Sequence, residues 1–381
     1  MNAMNATNAA NGGKAISVVE LKNRVLLLRD KLKQKDLDAV VLFDAANIRY
    51  FTDFRMNSAC ESIVVIQRDG SITYLVAPLD YKRAQQDCWV ENLVVFPEDD
   101  PNYLYPLKEL FPVKNLRKLG IEADDMSYKK MHFLNEISSP EFIPFDDELI
   151  GMRAIKTAEE IQLIRKAAAI VDKAMQECLK KAEEGVTEAE LTGFARYVFE
   201  REGGEGASFD PFLMSGRNSW LPQRFSTEKK IVAGELAVFD MGAVYCGYCS
   251  DMTRTFCLGN PSTEQRRIFD VAFGAQQSAI AAIKPGVEAG AIDAVARNYI
   301  NDAGFGKYFP HITGHGLGIS VHEQPILNTN NSMILQKNMV VTVEPGIYLE
   351  GVGAARVEDM VLVTEDGCEV LTKTERIILN V

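Results

Sequence analysis

Four carboxylates lie inside strand-like segments of the C-terminal half of this chain, and one acid of each pair lies in an otherwise apolar segment, VFDMGAV or VVTVEPGIY. Asp240 lies in VFDMGAV and Asp251 in CSDMTRTF, while Glu344 lies in VVTVEPGIY and Glu358 in ARVEDMVLV. A buried charge is costly unless it is paired, hydrogen-bonded or bound to a cation. Any fold that this chain adopts must therefore bring these acids to groups or ions that compensate their charge.

Each pair of acids fits one antiparallel hairpin. Strand-like alternation on both sides of a turn at 245–247 predicts that Asp240 stands roughly opposite Asp251. Glu344 and Glu358 lie symmetrically about a glycine turn, which predicts a second hairpin with these two residues opposed. Opposed residues on one face of such a pair have Cβ atoms about 4.5–5.5 Å apart. Each hairpin is therefore predicted to present two carboxylates to one small volume.

The clustered acids predict a metal site. Four neighbouring carboxylates repel one another and take up protons unless cations hold them. His315, in TGHGLG between the two hairpins, adds an imidazole, and the flanking glycines allow close backbone approach beside it. Sites rich in oxygen with one imidazole suit manganese, cobalt, iron and zinc. Two such ions about 3.5–4 Å apart polarise a carbonyl and activate a water, which is hydrolase chemistry.

Bulk composition excludes several other classes of function. The 381-residue chain has a formal net charge of −12 and a pI near 5.0, which disfavour nucleic acid and an anionic membrane surface as partners. No apolar stretch reaches the ~18 residues of a membrane span. Residues 1–15 lack the features of a secretory signal and are predicted to be a disordered tail. Seven cysteines without a framework spacing, including Cys246 and Cys249, indicate free thiols and a cytoplasmic location.

The N-terminal part of the chain is predicted to be an α/β domain that ends near residue 150. Strand-like and helical segments alternate over residues 16–150, including a helix near 102–111. This part contains a single histidine, His132, on a helical segment and without a nearby acid cluster. We interpret His132 as a surface or packing residue and not as a ligand.

The remainder, residues 151–381, is predicted to be an α+β domain with an internal repeat. Capping boxes that begin at Thr157 and Thr187 open two helices before the first acidic hairpin. Two further helices precede the second hairpin, and Gly185-Val186 recurs as Gly286-Val287. Two copies of helix, helix and hairpin, related by an approximate two-fold axis, would make the acid pairs face each other.

These motifs, in this order, resemble the pita-bread metallopeptidase family, which includes methionine aminopeptidase, aminopeptidase P, prolidase and the metal-free creatinase. The segment LKNRVLLLRDKLKQKDLDAVVLFDAANIRYFTDF resembles the opening of the creatinase and prolidase N-terminal domain. The resemblance implies a creatinase-like domain over 16–150 and a pita-bread catalytic domain over 151–381. It also implies a homodimer that acts on small peptides as an Xaa-Pro dipeptidase or aminopeptidase P, cleaving the bond before proline.

The resemblance further implies a ligand set for two divalent ions, manganese or cobalt in the first place and zinc or iron as alternatives. In that set Asp240 chelates one ion, and His315 with Glu344 holds the other. Asp251 and Glu358 bridge the two ions.

Other residues match positions around the reacting bond in the family. Glu344 would also shuttle a proton, and His322 would contact the substrate near the scissile carbonyl or the leaving group. His311 matches a further histidine of the substrate pocket. Tyr348 and Arg356 match a tyrosine and an arginine that support the site.

One position departs from the family pattern. The segment SGRNSWLPQRF has Gln223 where the family usually has a histidine. Glutamine donates a hydrogen bond but carries no proton at neutral pH, so either the substrate differs from a plain Xaa-Pro peptide or His322 and Glu344 suffice for proton transfer. Two alternatives therefore stay open: a metal-dependent hydrolase or lyase of a small non-peptide substrate, and a peptidase-like binding module without activity. The intact ligand set argues against the second alternative.

Overall fold

The computed structural model describes residues 15–96, 116–376 and 379–380. Residues 1–14 of the predicted tail and the predicted helix near 102–111 lie outside this part of the chain. The chain divides into two compact units between Arg153 and Ala154. Within the described ranges, no helix has both the length and the apolar composition needed to cross a membrane.

The N-terminal unit is built on a six-stranded mixed sheet, which confirms the α/β prediction. Its helices are α1 (Val18–Gln34), α2 (Ala45–Thr52), α3 (Pro78–Asp87), α4 (Tyr128–Ser138) and α5 (Asp146–Ala154). Its strands are β1 (Ala39–Leu42), β2 (Ile63–Gln67), β3 (Ile72–Val76), β4 (Leu93–Val95), β5 (Lys118–Ile121) and β6 (Glu141–Pro144). The strand order is β4-β3-β2-β1-β5-β6, with β2 antiparallel to both neighbours and the other adjacent strands parallel.

Local sequence explains these elements. The side chain of Ser17 accepts a hydrogen bond from the Glu20 N–H and caps α1, whose buried leucines at 21, 28 and 32 recur with helical spacing. All four residues of β1 are buried, as expected for a central strand. His132 is exposed on α4, 3.4 Å from Glu136, in agreement with its interpretation as a surface residue.

The C-terminal unit repeats the order helix, helix, hairpin, as the sequence predicts. Its helices are α6 (Ala158–Lys181), α7 (Glu188–Arg201), α8 (Thr263–Ala282) and α9 (Ala289–Asp302). Its strands begin with β7 (Gly206–Ala207), β8 (Phe212–Ser215), β9 (Leu236–Met241), β10 (Ala243–Tyr245), β11 (Tyr248–Cys249) and β12 (Met252–Cys257). The later strands are β13 (Gly314–Gly316), β14 (Glu323–Leu327), β15 (Val340–Val343), β16 (Gly346–Leu349), β17 (Gly353–Arg356), β18 (Asp359–Val363), β19 (Cys368–Val370) and β20 (Leu379–Asn380).

Two larger sheets carry the acidic residues. The first has the order β20-β12-β9-β8 and the second has the order β14-β13-β15-β18-β19. Both predicted capping boxes, at Thr157 and Thr187, are present. Helices α8 and α9 pack on the second sheet through one apolar cluster that includes Ile268, Ile292 and Val341. The sheets are therefore held by an apolar core behind them.

The first acidic hairpin, residues 236–257, does not have the predicted register. Met241 pairs with Met252 and Val244 with Cys249, so Asp240 stands opposite Thr253 and Asp251 opposite a glycine. The prediction that Asp240 and Asp251 are opposed is wrong by two residues, because the turn is centred between Cys246 and Gly247. A diagonal pair of this kind is still within reach of a shared ion.

The second acidic hairpin, residues 340–363, has the register that its sequence predicts. Val343 pairs with Asp359 and Gly346 with Arg356, so Glu344 stands opposite Glu358. Both acids lie in the short break between the two ladders of this hairpin. The break turns their side chains away from the apolar core and leaves the strands paired on either side.

Candidate metal centre

Three of the predicted ligands come together closely. One ligand atom from each of Asp251, His315 and Glu358 can be chosen so that all three lie within 4.8 Å of one another, and all three residues are buried. Asp251 comes from the first acidic hairpin, Glu358 from the second, and His315 from β13 beside it. Residues far apart in sequence therefore converge on one volume.

The other two predicted ligands lie at the edge of this group. His315 Nε2 is 3.3 Å from Glu344 Oε1 and 3.6 Å from Asp251 Oδ2. Asp240 Oδ2 accepts a hydrogen bond from Arg356 Nη2. Asp240, Asp251, His315 and Glu344 all line one cavity of about 270 Å³. Four of the five predicted ligands therefore line this cavity, and Glu358 joins them through its grouping with Asp251 and His315.

The imidazole of His315 is held in one orientation. Its Nδ1 donates to the Gly316 carbonyl oxygen at 3.0 Å, and this bond directs Nε2 toward the carboxylates. A Cβ on Gly314 would lie 2.0 Å from the Thr342 carbonyl oxygen, and one on Gly316 would lie 2.3 Å from that of Gln324. The flanking glycines therefore permit the close backbone approach that their sequence suggests.

Three carboxylate oxygens of the predicted ligands have no hydrogen-bond partner among the described residues. They are Asp240 Oδ1, Asp251 Oδ1 and Glu358 Oε1, and each is buried. Unsatisfied buried carboxylate oxygens are rare in native proteins and call for an explanation. A divalent cation supplies one, because hard cations prefer anionic oxygen ligands and one imidazole nitrogen completes a set that manganese, cobalt, iron and zinc accept. The donor set fits the predicted metals.

The electrostatics of the acids agree with this fit. Burial, followed by the charges of neighbouring acids, raises the pKa of Asp251 and of Glu358 well above the usual range. Burial also raises the pKa of Asp240 to about 6, although Arg356 opposes the shift. Burial opposes ionisation of Glu344 as well, but its hydrogen bond to His315 lowers its pKa to about 2. Cations held between the acids would offset both the cost of burying their charge and their mutual repulsion, the two causes of the upward shifts.

A chain of hydrogen bonds runs along one wall of the cavity. Arg356 Nη1 donates to Tyr348 Oη at 2.9 Å, and Tyr348 Oη lies 2.9 Å from His311 Nε2. His311 Nδ1 lies 2.7 Å from the Ile312 carbonyl oxygen and therefore donates to it. Burial lowers the pKa of His311, so the ring is neutral and Nε2 accepts from the tyrosine hydroxyl. Both ring nitrogens of His311 are thus engaged by the protein.

His322 and Gln223 line the same cavity further out. The ring of His322 is tilted against that of His315, with centroids 4.3 Å apart, and His322 is exposed. Burial and the neighbouring His315 lower its pKa. The remaining wall is largely apolar and is formed by Phe209, Phe212, Pro222 and Ile312. The cavity therefore joins a polar floor to a wall suited to an apolar substrate group.

Two supporting residues were missed from sequence. Thr253 Oγ1 donates to Glu358 Oε2 at 2.8 Å and accepts from Arg356 Nε at 3.1 Å. Arg254 is fully buried, and its guanidinium donates to the carbonyl oxygens of Thr253, Glu358 and Thr374. Their place in the sequence, as a Thr-Arg pair after Met252 in strand β12, gave little indication of this role.

Two family models match the chain in succession. The model of the creatinase/prolidase N-terminal domain matches residues 24–155, and that of metallopeptidase family M24 matches residues 162–365. The second match spans more than half of the chain and contains all five predicted ligands.

Individual relatives agree with the family models. An Xaa-Pro dipeptidase of Pyrococcus furiosus is 36% identical over 94% of this chain and its own full length. The crystal structure of a prolidase from Pyrococcus horikoshii OT3 aligns with a TM-score of 0.87 and 33% identity, covering 94% of this chain and all of that one. An X-Pro aminopeptidase from Thermotoga maritima MSB8 aligns with a TM-score of 0.87 and 31% identity, covering 94% of this chain and 99% of that one. The TM-score is thus the same for the aminopeptidase as for the Pyrococcus horikoshii prolidase, whereas the sequence identity is slightly lower.

Proposed function

The chain belongs to metallopeptidase family M24, and on that premise we propose that it is a dinuclear metal-dependent peptidase of the Xaa-Pro dipeptidase or aminopeptidase P type, cleaving the bond before proline. One observation carries the proposal. Asp240, Asp251 and Glu358 each have an unsatisfied buried oxygen, and the Nε2 atom of His315 faces these acids beside a cavity that has an apolar wall.

Each predicted ligand has a role in this proposal. Asp240 would hold one ion, His315 and Glu344 the other, and Asp251 and Glu358 would bridge them. Manganese or cobalt is proposed first because the family resemblance implies these ions. Zinc and iron are the alternatives, since ligands of this type accept several divalent ions. Two ions bound in this way supply carbonyl polarisation and a nucleophilic water near neutral pH.

The protein's own groups perform the proton transfers and the orientation. Glu344 would accept a proton at its carboxylate from the attacking water and pass it to the leaving nitrogen, a general base and acid role. His322, which lines the cavity beside His315, would donate a hydrogen bond to the oxygen that gains charge as the carbonyl is attacked.

Arg356 and His311 would act behind these groups. Arg356 compensates the charge of Asp240 and fixes the Tyr348 hydroxyl, which in turn is fixed by His311. This arrangement orients Asp240 and closes the cavity on that side against water. We therefore propose a supporting role for both residues, in which they hold the ligand and the cavity wall in place.

A substrate panel tests the proposal. Purified protein is stripped of metal, reloaded separately with manganese, cobalt or zinc, and assayed on Ala-Pro, Ala-Pro-Ala and Ala-Ala. We expect metal-dependent hydrolysis of one or both proline peptides and little of Ala-Ala. Turnover of Ala-Pro alone would assign a dipeptidase, and turnover of the tripeptide an aminopeptidase. Full metal loading without hydrolysis of any proline peptide would contradict the proposal.

Gln223 keeps a second candidate under test. Because this side chain lines the cavity and carries no proton, a small non-peptide amide is the alternative substrate class. Hydrolysis of Ala-Pro by the metal-loaded protein distinguishes the two candidates. Robust hydrolysis supports the peptidase and argues against a non-peptide amide as the substrate.

The cellular setting belongs to the same proposal. None of the seven cysteines, all of which lie in the described ranges, forms a disulfide, which supports a reducing compartment such as the cytoplasm. The homodimer implied by the family resemblance stays a prediction, and sedimentation equilibrium of the purified chain tests it.

A further inference from the structure

Glu188, the first residue of helix α7, is a fully buried carboxylate that the proposed chemistry does not use. Its side chain is nevertheless among the most heavily hydrogen-bonded in the C-terminal unit. An ionised group buried in this way is retained only when donors compensate it. The residues that supply these donors show which segment the carboxylate holds in place.

The donors come from both ends of a single loop. At the near end, the Ser215 N–H and hydroxyl donate to Glu188 Oε1 at 2.8 and 2.9 Å. At the far end, the Thr227 N–H and hydroxyl donate to Oε2 at 3.1 and 2.7 Å. Asn218 Nδ2 lies 3.1 Å from each oxygen. One carboxylate therefore fastens the two ends of residues 216–226, here named the 216–226 loop.

The same loop reaches the cavity. Pro222 and Gln223 at its middle line the cavity, and the Pro222 carbonyl oxygen accepts a hydrogen bond from Arg356 Nη1 at 3.2 Å. Glu188 itself is not among the described residues that line the cavity. Glu188 can therefore affect substrate binding only through the position of the 216–226 loop.

We propose that Glu188 is a positioning residue for substrate binding, which ties the ends of the 216–226 loop together and so holds Pro222 and Gln223 at the cavity wall. The choice of substrate in this inference rests on the proposed function. The position of the loop rests only on the hydrogen bonds described above. Loss of the tie lets the wall move while the metal ligands stay in place, because those ligands lie on other strands. Substrate affinity should therefore fall more than the rate of the chemical step.

The chain offers a reporter and a matched control. Trp220 lies within the loop, and Trp89, the other tryptophan, can be replaced in a Trp89→Phe parent so that fluorescence reports on the loop alone. Glu190 lies on the same helix, is exposed and bonds only to Thr187 in its capping box among the hydrogen bonds described. Glu190→Gln therefore removes a charge from α7 without touching the loop.

The test compares Glu188→Gln with Glu190→Gln in that parent. Glutamine keeps the shape of glutamate but turns an NH₂ group toward donors. For Glu188→Gln we expect KM for the proline peptide to rise about 10-fold with kcat changed by less than about 2-fold. Acrylamide quenching of Trp220 should at least double, and Glu190→Gln should change neither quantity. A fall in kcat at constant KM, or unchanged quenching in folded Glu188→Gln protein, would overturn the proposal.

A second pair of variants decides the matter if Glu188→Gln does not fold. Thr227→Val removes one donor at the far end of the loop, whereas Thr227→Ser keeps the hydroxyl. Thr227→Val should raise KM and Trp220 quenching, each by a smaller factor than Glu188→Gln does. Thr227→Ser should leave both quantities at the values of the parent. Equal values in the two Thr227 variants would overturn the proposal. If the parent hydrolyses no proline peptide, the proposed function fails. Trp220 quenching in the variants still shows whether Glu188 holds the 216–226 loop in place.

Discussion

The first acidic hairpin pairs β9 with β12 and the second pairs β15 with β18, in both cases antiparallel and joined through a shorter inner pair of strands. In the second hairpin Glu344 stands opposite Glu358, whereas in the first Asp240 stands opposite Thr253 and Asp251 is displaced by two residues. The displaced register makes room for a hydroxyl opposite Asp240, and Thr253 uses it to bond Glu358 of the other hairpin. Similar topology thus serves two tasks: both hairpins supply carboxylates, and the first also orients an acid of the second.

The strongest test of the comparison is removal of one proposed bridging acid from each hairpin. Asp251→Asn and Glu358→Gln should each lower kcat/KM by about 10³-fold or more, because either change deprives both ions of a shared ligand. Metal content by mass spectrometry should fall in parallel. Glu350→Gln, at the exposed turn of the second hairpin, is the control and should match the parent. Normal turnover and metal content in either variant would show that the two hairpins do not share the ions.

The contact between the hairpins can be tested at Thr253. Thr253→Val keeps the volume but removes the donor to Glu358 Oε2, and loss of such a supporting bond typically costs about 10–100-fold in metal affinity or activity. Titration of metal into the stripped protein, followed by assay, measures both. Thr253→Ser retains the hydroxyl and should stay within a few-fold of the parent. Equal loss in the two variants would mean that packing, and not the hydrogen bond, matters at this position.

The glycines of the two hairpins should differ in their tolerance of a side chain. A Cβ on Gly242, beside Asp240 in the first hairpin, would lie 2.1 Å from both Ser208 Oγ and the Ser250 carbonyl oxygen. Gly242→Ala should therefore lower the free energy of unfolding by about 3 kcal/mol or more. Gly351, at the turn of the second hairpin, has φ of +83° and no atom within 4 Å, so Gly351→Ala should cost only about 1–2 kcal/mol of backbone strain. Urea unfolding of both variants measures the difference, and equal losses would contradict it.

The smallest predicted effect concerns the turn of the first hairpin. Cys246 and Gly247 both have positive φ, 48° and 83°, which is the conformation that favours Asn-Gly in two-residue hairpins. Cys246→Asn should therefore raise the free energy of unfolding by about 0.5 kcal/mol. Cys246→Ala keeps the strain without this benefit and serves as the reference. An asparagine variant no more stable than the alanine variant would indicate that the turn is not under strain.

Sequence reasoning predicted the elements of the C-terminal unit better than their register. Capping signals at Thr157 and Thr187 mark helix starts because they act through bonds three residues apart. The symmetric spacing about Gly351 likewise sufficed to oppose Glu344 and Glu358. Around Cys246 and Gly247, however, strands of similar alternation allow several turns, and a shift of the turn by one residue moves every opposed pair by two.

The site could be predicted only in its charged part. Buried acids in apolar strands stand out in the sequence because their charge is costly. Thr253 and Arg254 give no such signal, since threonine is common in strands and a buried arginine is recognised only when its carbonyl partners are known. Glu188 was hidden for another reason: glutamate in the first turn of a helix is ordinary, and its link to Ser215 and Thr227 depends on the folded path of the chain.

Arg254 has a consequence for the handling of the protein. Its guanidinium donates hydrogen bonds to the carbonyl oxygens of Thr253 and Glu358 and forms an ion pair with Asp359. These contacts link the two hairpins through protein groups. The spacing between the two hairpins therefore does not have to be created by the ions. Dialysis should exchange one divalent ion for another in the native protein, with no need to denature and refold it, so the metals can be compared on a single preparation.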